Sequence, residues 1–313
     1  MMKKICVSGA SGFIGYRLSK ALKSKGYHIN AVSRVTSKSS LPPETNNFYI
    51  KELFNFDEWT KVTKDCDTFI HCAALNNDAK PKNKNDFYKI NTHLTTFLAK
   101  NSQLFGIKRF IFLSSVKVNG TYTFNNFKFS QNDNPKPGSD LYALSKKEAE
   151  DQLFDIFYKN QLEIVIIRLP LVYGPRAKGN LEKIIKLIKL GLPLPFGSIN
   201  NKISMIALDN LIDFITKCIE NENAIGKILM PTDDEDLSTI KLVEEISSNL
   251  NQKVKIFPVP IFLLKLFGFL FGKLNQVNKL VNSAQIDCSE TNNLMNWAPP
   301  HSVKDSLKKM MDK

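Results

Sequence analysis

The chain is 313 residues long, enough for one large or two modest domains, and its 43% hydrophobic and 23% charged residues are ordinary for a soluble globular protein. Its formal net charge is +13, yet the lysines are scattered, with no aromatic-interleaved basic stripe and no recognisable nucleic-acid module, so nucleic acid is not an expected partner. Cys6, Cys66, Cys72, Cys218 and Cys288 form no C-x-x-C pair and no metal-ligand spacing with a histidine, which predicts no metal and reduced thiols in a cytoplasmic protein.

Met1-Met2-Lys3-Lys4 runs at once into an apolar stretch far too short for a signal segment, so the start is expected to belong to the fold. Lys4–Ser8 predicts a strand and Phe13–Lys25 the helix that it feeds. Further strands are expected at His28–Ser33, Phe48–Lys51 and Thr68–Cys72. A long helix over Asp86–Phe105, a strand at Arg109–Leu113, a helix over Leu141–Lys159 and a strand at Glu163–Arg168 follow. Such alternation needs crossover connections and a parallel sheet covered on both faces. The expected fold is α/β: a Rossmann-type doubly wound parallel sheet with a smaller C-terminal α/β substrate domain.

Residues 1–170 are assigned to the nucleotide-binding domain and 171–313 to the substrate domain. The two are expected to interleave, the first being completed by about residues 200–230. Beyond Arg168 the rhythm changes, with Pro170, Gly174, Pro175, Pro193, Pro195 and Gly197 as punctuation. Asn180–Leu190 predicts a short amphipathic helix, and Lys227–Met230 and Val254–Phe257 predict strands. The apolar segment Val259–Lys273 is too short, and too interrupted by Lys265, to span a bilayer. It reads as a helix packed in the small domain or at an interface; a membrane-surface helix beside nearby lysines is the alternative.

Gly9, Gly12 and Gly15 are spaced G-x-x-G-x-x-G between the first strand and the first helix. Glycines there make a tight turn, let backbone N–H groups approach a pyrophosphate and aim a helix N-terminus at its charge. Gly9, Ser11, Gly12, Phe13, Ile14 and Gly15 are the candidate cofactor contacts. At the end of the second strand an acid would bond an unphosphorylated ribose, whereas an arginine accepts a 2′-phosphate. Arg34 stands there, with Lys38 nearby and no acid, which favours NADP(H) over NAD(H).

Tyr142 and Lys146 are four residues apart and so share one helix face. A free tyrosine exchanges protons poorly at neutral pH; an ammonium close by stabilises its phenolate and lowers its pKa. Ser115, at the carboxyl end of a strand, is placed to hold the substrate oxygen, and Ser114 is its less favoured neighbour. Together these residues predict coupled hydride and proton transfer.

With these motifs the whole chain resembles the extended short-chain dehydrogenases/reductases, the NAD-dependent epimerase/dehydratase group that works on nucleotide-activated sugars. Supporting matches are His71-Cys72-Ala73-Ala74, Ile90-Asn91-Thr92 and Arg168-Leu169-Pro170-Leu171-Val172-Tyr173-Gly174-Pro175. The group's catalytic hydroxyl maps to Ser115, followed by Val116-Lys117-Val118-Asn119-Gly120. The resemblance implies that Ser115, Tyr142, Lys146 and Asn91 are catalytic and that Ala73, Ala74, Pro170, Tyr142 and Lys146 also touch the cofactor. Asn91 is expected to anchor a water or a backbone carbonyl near Lys146. Ser115, Lys117, Asn180, Lys202 and the stretch Arg176–Lys178 are the implied contacts to a UDP-sugar. A homodimer through Asp86–Phe105 and Leu141–Lys159 is implied too.

Dehydratases of the group carry an Asp-Glu pair after the catalytic hydroxyl; Val116-Lys117 stands here, which disfavours dehydration. Segments 114–120, 192–197, 207–211 and 233–239 resemble a bacterial surface-polysaccharide subgroup. Its better-defined members are similar to 4-reductases of UDP-4-keto-6-deoxy-N-acetylhexosamine, which make UDP-N-acetylquinovosamine for O-antigen. The expected activity is therefore NADPH-dependent 4-keto reduction. A 4-epimerase holding NAD is the alternative, and a non-catalytic nucleotide sensor on the same fold is a third reading.

Overall fold

Near-continuous apolar runs such as Ile5-Cys6-Val7, with no exposed surface, form strands buried on both faces. The computed structural model describes residues 3–34, 40–76, 83–159, 161–175, 177 and 180–311. Its strands are β1 (Lys4–Ser8), β2 (His28–Arg34), β3 (Asn46–Ile50), β4 (Thr68–His71), β5 (Arg109–Ser115), β6 (Glu163–Leu169), β7 (Leu171–Tyr173), β8 (Ile203–Ala207), β9 (Lys227–Leu229) and β10 (Asp236–Leu237). Seven of them form one parallel sheet in the order β3-β2-β1-β4-β5-β6-β9, and β10-β8-β7 form a second. The order reverses between β1 and β4, and a crevice at the carboxyl ends of those strands is where such sheets bind ligands. The α/β doubly wound expectation is met.

The helices are α1 (Phe13–Ser24), α2 (Phe56–Thr63), α3 (Asn85–Phe87), α4 (Leu94–Asn101), α5 (Leu141–Lys159), α6 (Asn180–Lys189), α7 (Leu208–Cys218), α8 (Thr239–Asn249), α9 (Ile261–Leu270), α10 (Leu274–Val281), α11 (Ser289–Met295) and α12 (Val303–Met311). One face of the large sheet buries Leu18 and Leu22 of α1 with Leu211, Phe214 and Ile215 of α7. The other buries Trp59 of α2, Leu98 of α4 and Leu153 of α5. A separate core joins Ile184 and Ile188 of α6, Val243 and Ile246 of α8 and Leu307 of α12 to the small sheet. After β7 and β8 the chain returns to the large sheet through α7 and β9, so no single cut divides the two layers. No helix among the described residues is long and apolar enough to cross a membrane.

Three expectations need correction. The predicted helix Asp86–Phe105 is not continuous: a π-helical turn, Tyr88–His93, joins α3 to α4, and the helix ends at Asn101. Thr95, Thr96, Asn101 and Ser102 all turn their side chains back onto carbonyls four residues earlier. That competition with the backbone ladder weakens and bends a helix. Val254–Phe257 is no strand; it makes one bridge, Ile256 to Leu194, and Pro258 and Pro260 remove the next donors. The apolar segment is a helix, α9, but it is packed along one stripe and open elsewhere.

Candidate active site

The glycine turn is set by steric need. Gly9 has φ +70, and a Cβ there would lie 2.6 Å from the Ala73 nitrogen. A Cβ on Gly15 would lie 2.3 Å from the Gly9 carbonyl oxygen. The turn is closed by Gly12 N–H donating to the Gly9 carbonyl (2.9 Å), and Ala10 N–H donates to the Val32 carbonyl (3.1 Å). Helix α1 follows with no side-chain cap and no acid in its first turn, so its leading N–H groups and dipole face outward toward an anion. Gly15→Ala is expected to cost about 1–3 kcal/mol, because backbone, not a flexible side chain, must give way. A urea midpoint equal to the parent's would contradict this.

A cavity of about 210 Å³ opens beside the turn. Gly9, Ser11 and Gly12 form one wall, Ala73 and Ala74 another, and Ile50, Leu53, Trp59, Ile90 and Leu94 an apolar end. Arg34 lies at the lining, and among the described residues no carboxylate does. Ser11 and Ser33 hydroxyls hydrogen-bond each other at 2.7 Å. Trp59 donates its indole N–H to the Leu53 carbonyl (2.8 Å), which fixes that wall.

Across the sheet, β5 ends at Ser115 and α5 begins at Leu141. Asp140 caps α5: its Oδ1 accepts from the N–H groups of Tyr142 (3.0 Å) and Ala143 (3.3 Å), and its Oδ2 accepts from Lys117 Nζ (2.6 Å). The Lys117 ammonium is thereby held 5.8 Å from the Tyr142 ring centre. Burial pushes the Tyr142 phenol up to about 12, while the Ser115 hydroxyl pulls it back and Asp140 adds to the rise. Burial also brings the Lys146 ammonium down to about 7, with Glu150 and then Cys72 opposing. Lys146 Nζ donates to the Leu113 carbonyl (2.8 Å) and sits 4.3 Å above the Phe112 ring. The expected lowering of the tyrosine pKa by Lys146 is therefore not found in this geometry. A desolvated ammonium takes the nearest strong acceptor, here a backbone carbonyl.

One support was not read from the sequence. Glu150 and Arg168, both fully buried, pair at 2.7 Å, and Arg168 also donates to Asn119 Oδ1 (2.9 Å). Ser114 donates to Glu150 (2.5 Å), so the neighbour of Ser115 is committed to this network. Asn91 lies on the π-helical turn and clamps Leu75 from both sides, accepting from its N–H (2.8 Å) and donating to its carbonyl (3.0 Å). It also donates to Ser145 Oγ (3.0 Å), the residue before Lys146. π-turns of this kind often mark functional positions.

Residues 5–229 match the NAD dependent epimerase/dehydratase family. The chain belongs to that family. It is 36% identical over 314 aligned positions to a UDP-glucose 4-epimerase of Vibrio cholerae, covering 98% of this chain and 94% of that one. It is 28% identical to the N-acetyl-alpha-D-glucosaminyl-diphospho-ditrans,octacis-undecaprenol 4-epimerase of Escherichia coli O157:H7, over 88% and 81% of the two chains. Among solved structures, the Thermotoga maritima UDP-glucose 4-epimerase with UDP-glucose superposes with a TM-score of 0.79 at 18% identity, covering 98% and 97%. A Bacillus cereus UDP-glucuronic acid 4-epimerase in complex with NAD gives 0.78 at 21%, covering 99% and 96%. These two likenesses are of fold.

The residues fit the dinucleotide that this epimerase/dehydratase family implies. The close approach of Gly9 to Ala73, the uncapped α1 and the adjoining cavity form a cradle open to a pyrophosphate and an apolar ring. Phe13 and Ile14 open α1 and pack partly into the core behind it. Pro170 is buried between β6 and β7 and does not line the cavity. Asn180 begins α6, and Lys202 is exposed, its N–H bonded to Ser283 Oγ (3.1 Å); neither lines the cavity. Lys38, Arg176 and Lys178 lie outside the described residues. Among the described residues no His, Cys, Asp and Glu cluster could hold a metal. The cavity's Trp59 and Leu94 were missed because they come from helices between the motif-bearing strands. Asp140, two residues before Tyr142, carried a readable signal: an acid just before a helix.

Lys146 makes a pH prediction. In the unfolded chain a lysine keeps its proton to about pH 10; folded, Lys146 releases it near 7. Between those values the unfolded state binds more protons, so this residue's contribution to stability rises with pH across that window. Below it the buried charge costs on the order of a few kcal/mol. Lys146→Met is thus expected to melt higher than the parent at pH 6, with the gap closing toward pH 9, while losing turnover. A gap that is constant with pH would contradict the buried charge.

Proposed function

We propose that this chain is a 4-epimerase acting on a UDP-activated hexose or N-acetylhexosamine. The observation that carries the proposal is the 36% likeness, over 98% of this chain, to a UDP-glucose 4-epimerase, in a chain that also carries Ser115, Tyr142 and Lys146 and a glycine turn shaped for a dinucleotide. The absence of a carboxylate after Ser115 argues against dehydration, which needs an acid and a base there. The findings weigh more toward epimerisation than toward the 4-keto reduction expected from the sequence.

A bound nicotinamide dinucleotide supplies the reversible hydride acceptor for carbon 4. Tyr142, ionised to its phenolate, accepts the proton of the 4-hydroxyl during oxidation and, now a phenol, returns it when the keto sugar is reduced from its other face. Ser115 donates a hydrogen bond to the same oxygen. Lys146, one turn along the same helix face and bonded to the Leu113 carbonyl, is the cation that would have to turn from that carbonyl to stabilise the phenolate. Asn91 acts through its grip on Leu75 and Ser145, holding α5 in register. Lys117, tied to Asp140, is placed to meet an anionic group of the substrate. Pairing of two chains through α4 and α5, in a cytoplasmic setting, belongs to the same proposal. The exposed Leu104 and Tyr158 beside those helices support it.

A second reading, NADPH-dependent 4-keto reduction in surface-polysaccharide synthesis, is favoured by one residue. Arg34 ends β2 at the cavity where an acid would bond an unphosphorylated ribose. If Arg34 meets a 2′-phosphate, Arg34→Ala narrows any NADP-over-NAD preference by about tenfold, the size of one charge-assisted contact. Equal affinity of the parent for both cofactors removes the second reading's support. To test the main proposal, purified protein is mixed with UDP-glucose or UDP-N-acetylglucosamine without added cofactor and followed by proton NMR. Conversion to the C4 epimer is expected. No conversion, with NADPH consumed on a UDP-4-keto-6-deoxy sugar, would overturn it in favour of the reductase.

A further inference from the structure

The chain from Ile246 to Ile286 carries Lys253, Lys255, Lys265, Lys273 and Lys279 and no aspartate or glutamate. None of these five lysines enters an ion pair among the described residues. In the middle of the stretch stands α9, Ile261–Leu270, apolar all round except for Lys265. A helix of that kind belongs in an apolar medium on every side. Here the protein provides only one side. Gly268 is buried against α10, where a Cβ would lie 2.7 Å from Val277 Cγ2, and Ile261 and Leu264 pack on the small-domain core.

The opposite side is bare. Phe262 is 68% exposed, Leu266 49%, Phe269 69% and Leu270 65%. These four follow the i, i+4, i+7, i+8 spacing of one helix face. Phe267 and Phe271, also exposed, widen it. Phe257, 43% exposed, lies just before it, after the Ile256–Leu194 bridge.

We propose that α9 seats the protein on the surface of an anionic lipid bilayer. In that pose Phe262, Leu266, Phe269 and Leu270 enter the boundary between headgroups and acyl chains, and the surrounding lysines meet the anionic headgroups. Ten residues at about 1.5 Å each give a rod of about 15 Å, which lies along a membrane surface and is far short of crossing it. A second copy of the chain is a poorer occupant, since the two carboxylate-free stretches would bring their lysines together. The stripe itself offers no hydrogen-bonding anchor for a peptide. The inference stands apart from the reaction at Tyr142.

The test is flotation of the full chain with phosphatidylcholine vesicles, with and without about 30 mol% phosphatidylglycerol, at low and high salt. Recovery with anionic vesicles is expected to exceed that with neutral ones by about tenfold and to fall with salt. Phe269→Glu with Phe271→Glu should abolish flotation, and Lys273→Glu with Lys279→Glu should remove the anionic preference. Turnover of a soluble UDP-sugar and the melting curve report that each variant is folded. A parent that stays in the bottom fraction overturns the proposal. So does an aromatic-to-Glu variant that floats like the parent. A parent oligomer that ignores vesicles and falls to monomers in that variant shows that a second copy covers the face instead. If the aromatic variant unfolds, the lysine pair decides: flotation unchanged by its substitution overturns the proposal.

Discussion

Tyr142→Phe is expected to slow UDP-sugar turnover by about 10²–10⁴-fold, the range for removing a positioned proton-transfer group. The phenol is buried opposite Ser115, whose hydroxyl pulls its pKa down against the rise that burial causes. Deleting its oxygen leaves the ring in place against Phe87, 6.4 Å away between ring centres, so the fold should survive. Substrate and cofactor affinity should stay near the parent's, because the oxygen is used in proton transfer rather than in holding either molecule. The effect should therefore fall on kcat and not on KM. Steady-state kinetics with UDP-glucose or UDP-N-acetylglucosamine decides. Turnover within threefold of the parent's, an order of magnitude below the smallest expected loss, would remove Tyr142 from the chemistry.

Glu150→Ala is expected to be the most damaging single change to stability, at about 3–5 kcal/mol. Both partners of the Glu150–Arg168 pair are 2% exposed, and the carboxylate also accepts from Ser114. Removing it leaves a guanidinium buried with Asn119 as its remaining hydrogen-bond partner in this network. The companion change, Glu150→Leu with Arg168→Met, removes both charges and should recover most of the loss. Urea denaturation measures both. A loss below about 1 kcal/mol for Glu150→Ala would mean that the pair behaves as a solvated surface bridge. Because Glu150 also raises the Lys146 pKa, the single variant should shift the lysine's titration down further.

How much of this was legible in the sequence depends on range. The strands that are buried on both faces, β1 and β4 to β6, announce themselves as apolar runs, and their predicted ends lie within two residues of the observed ones. The glycine turn and the Tyr142–Lys146 spacing are local patterns, so their positions in the fold could be expected. Arg34 could be placed at the end of β2 for the same reason. What escaped is set by contacts between distant residues. Glu150 and Arg168 meet across the α5–β6 connection, and neither residue type signals burial by itself. The π-turn at Tyr88–His93 comes from side chains competing for helix carbonyls and from Asn91 reaching Leu75, which no helical periodicity displays. The short strands β7 and β10, of three and two residues, are too brief for a period-2 signal. Burial reversed one chemical expectation, since Lys146 bonds to Leu113 and the tyrosine pKa rises instead of falling.

The central claim is that carbon 4 of a UDP-sugar is oxidised and then reduced within one site formed by Ser115, Tyr142 and Lys146. A substrate deuterated at carbon 4 tests this most directly. Incubated with the purified protein and no added cofactor, it should give the C4 epimer with deuterium retained at carbon 4, read by mass and NMR. Epimer that has lost the label, or no epimer from any UDP-hexose or UDP-N-acetylhexosamine while NADPH is consumed on a 4-keto sugar, would contradict the claim.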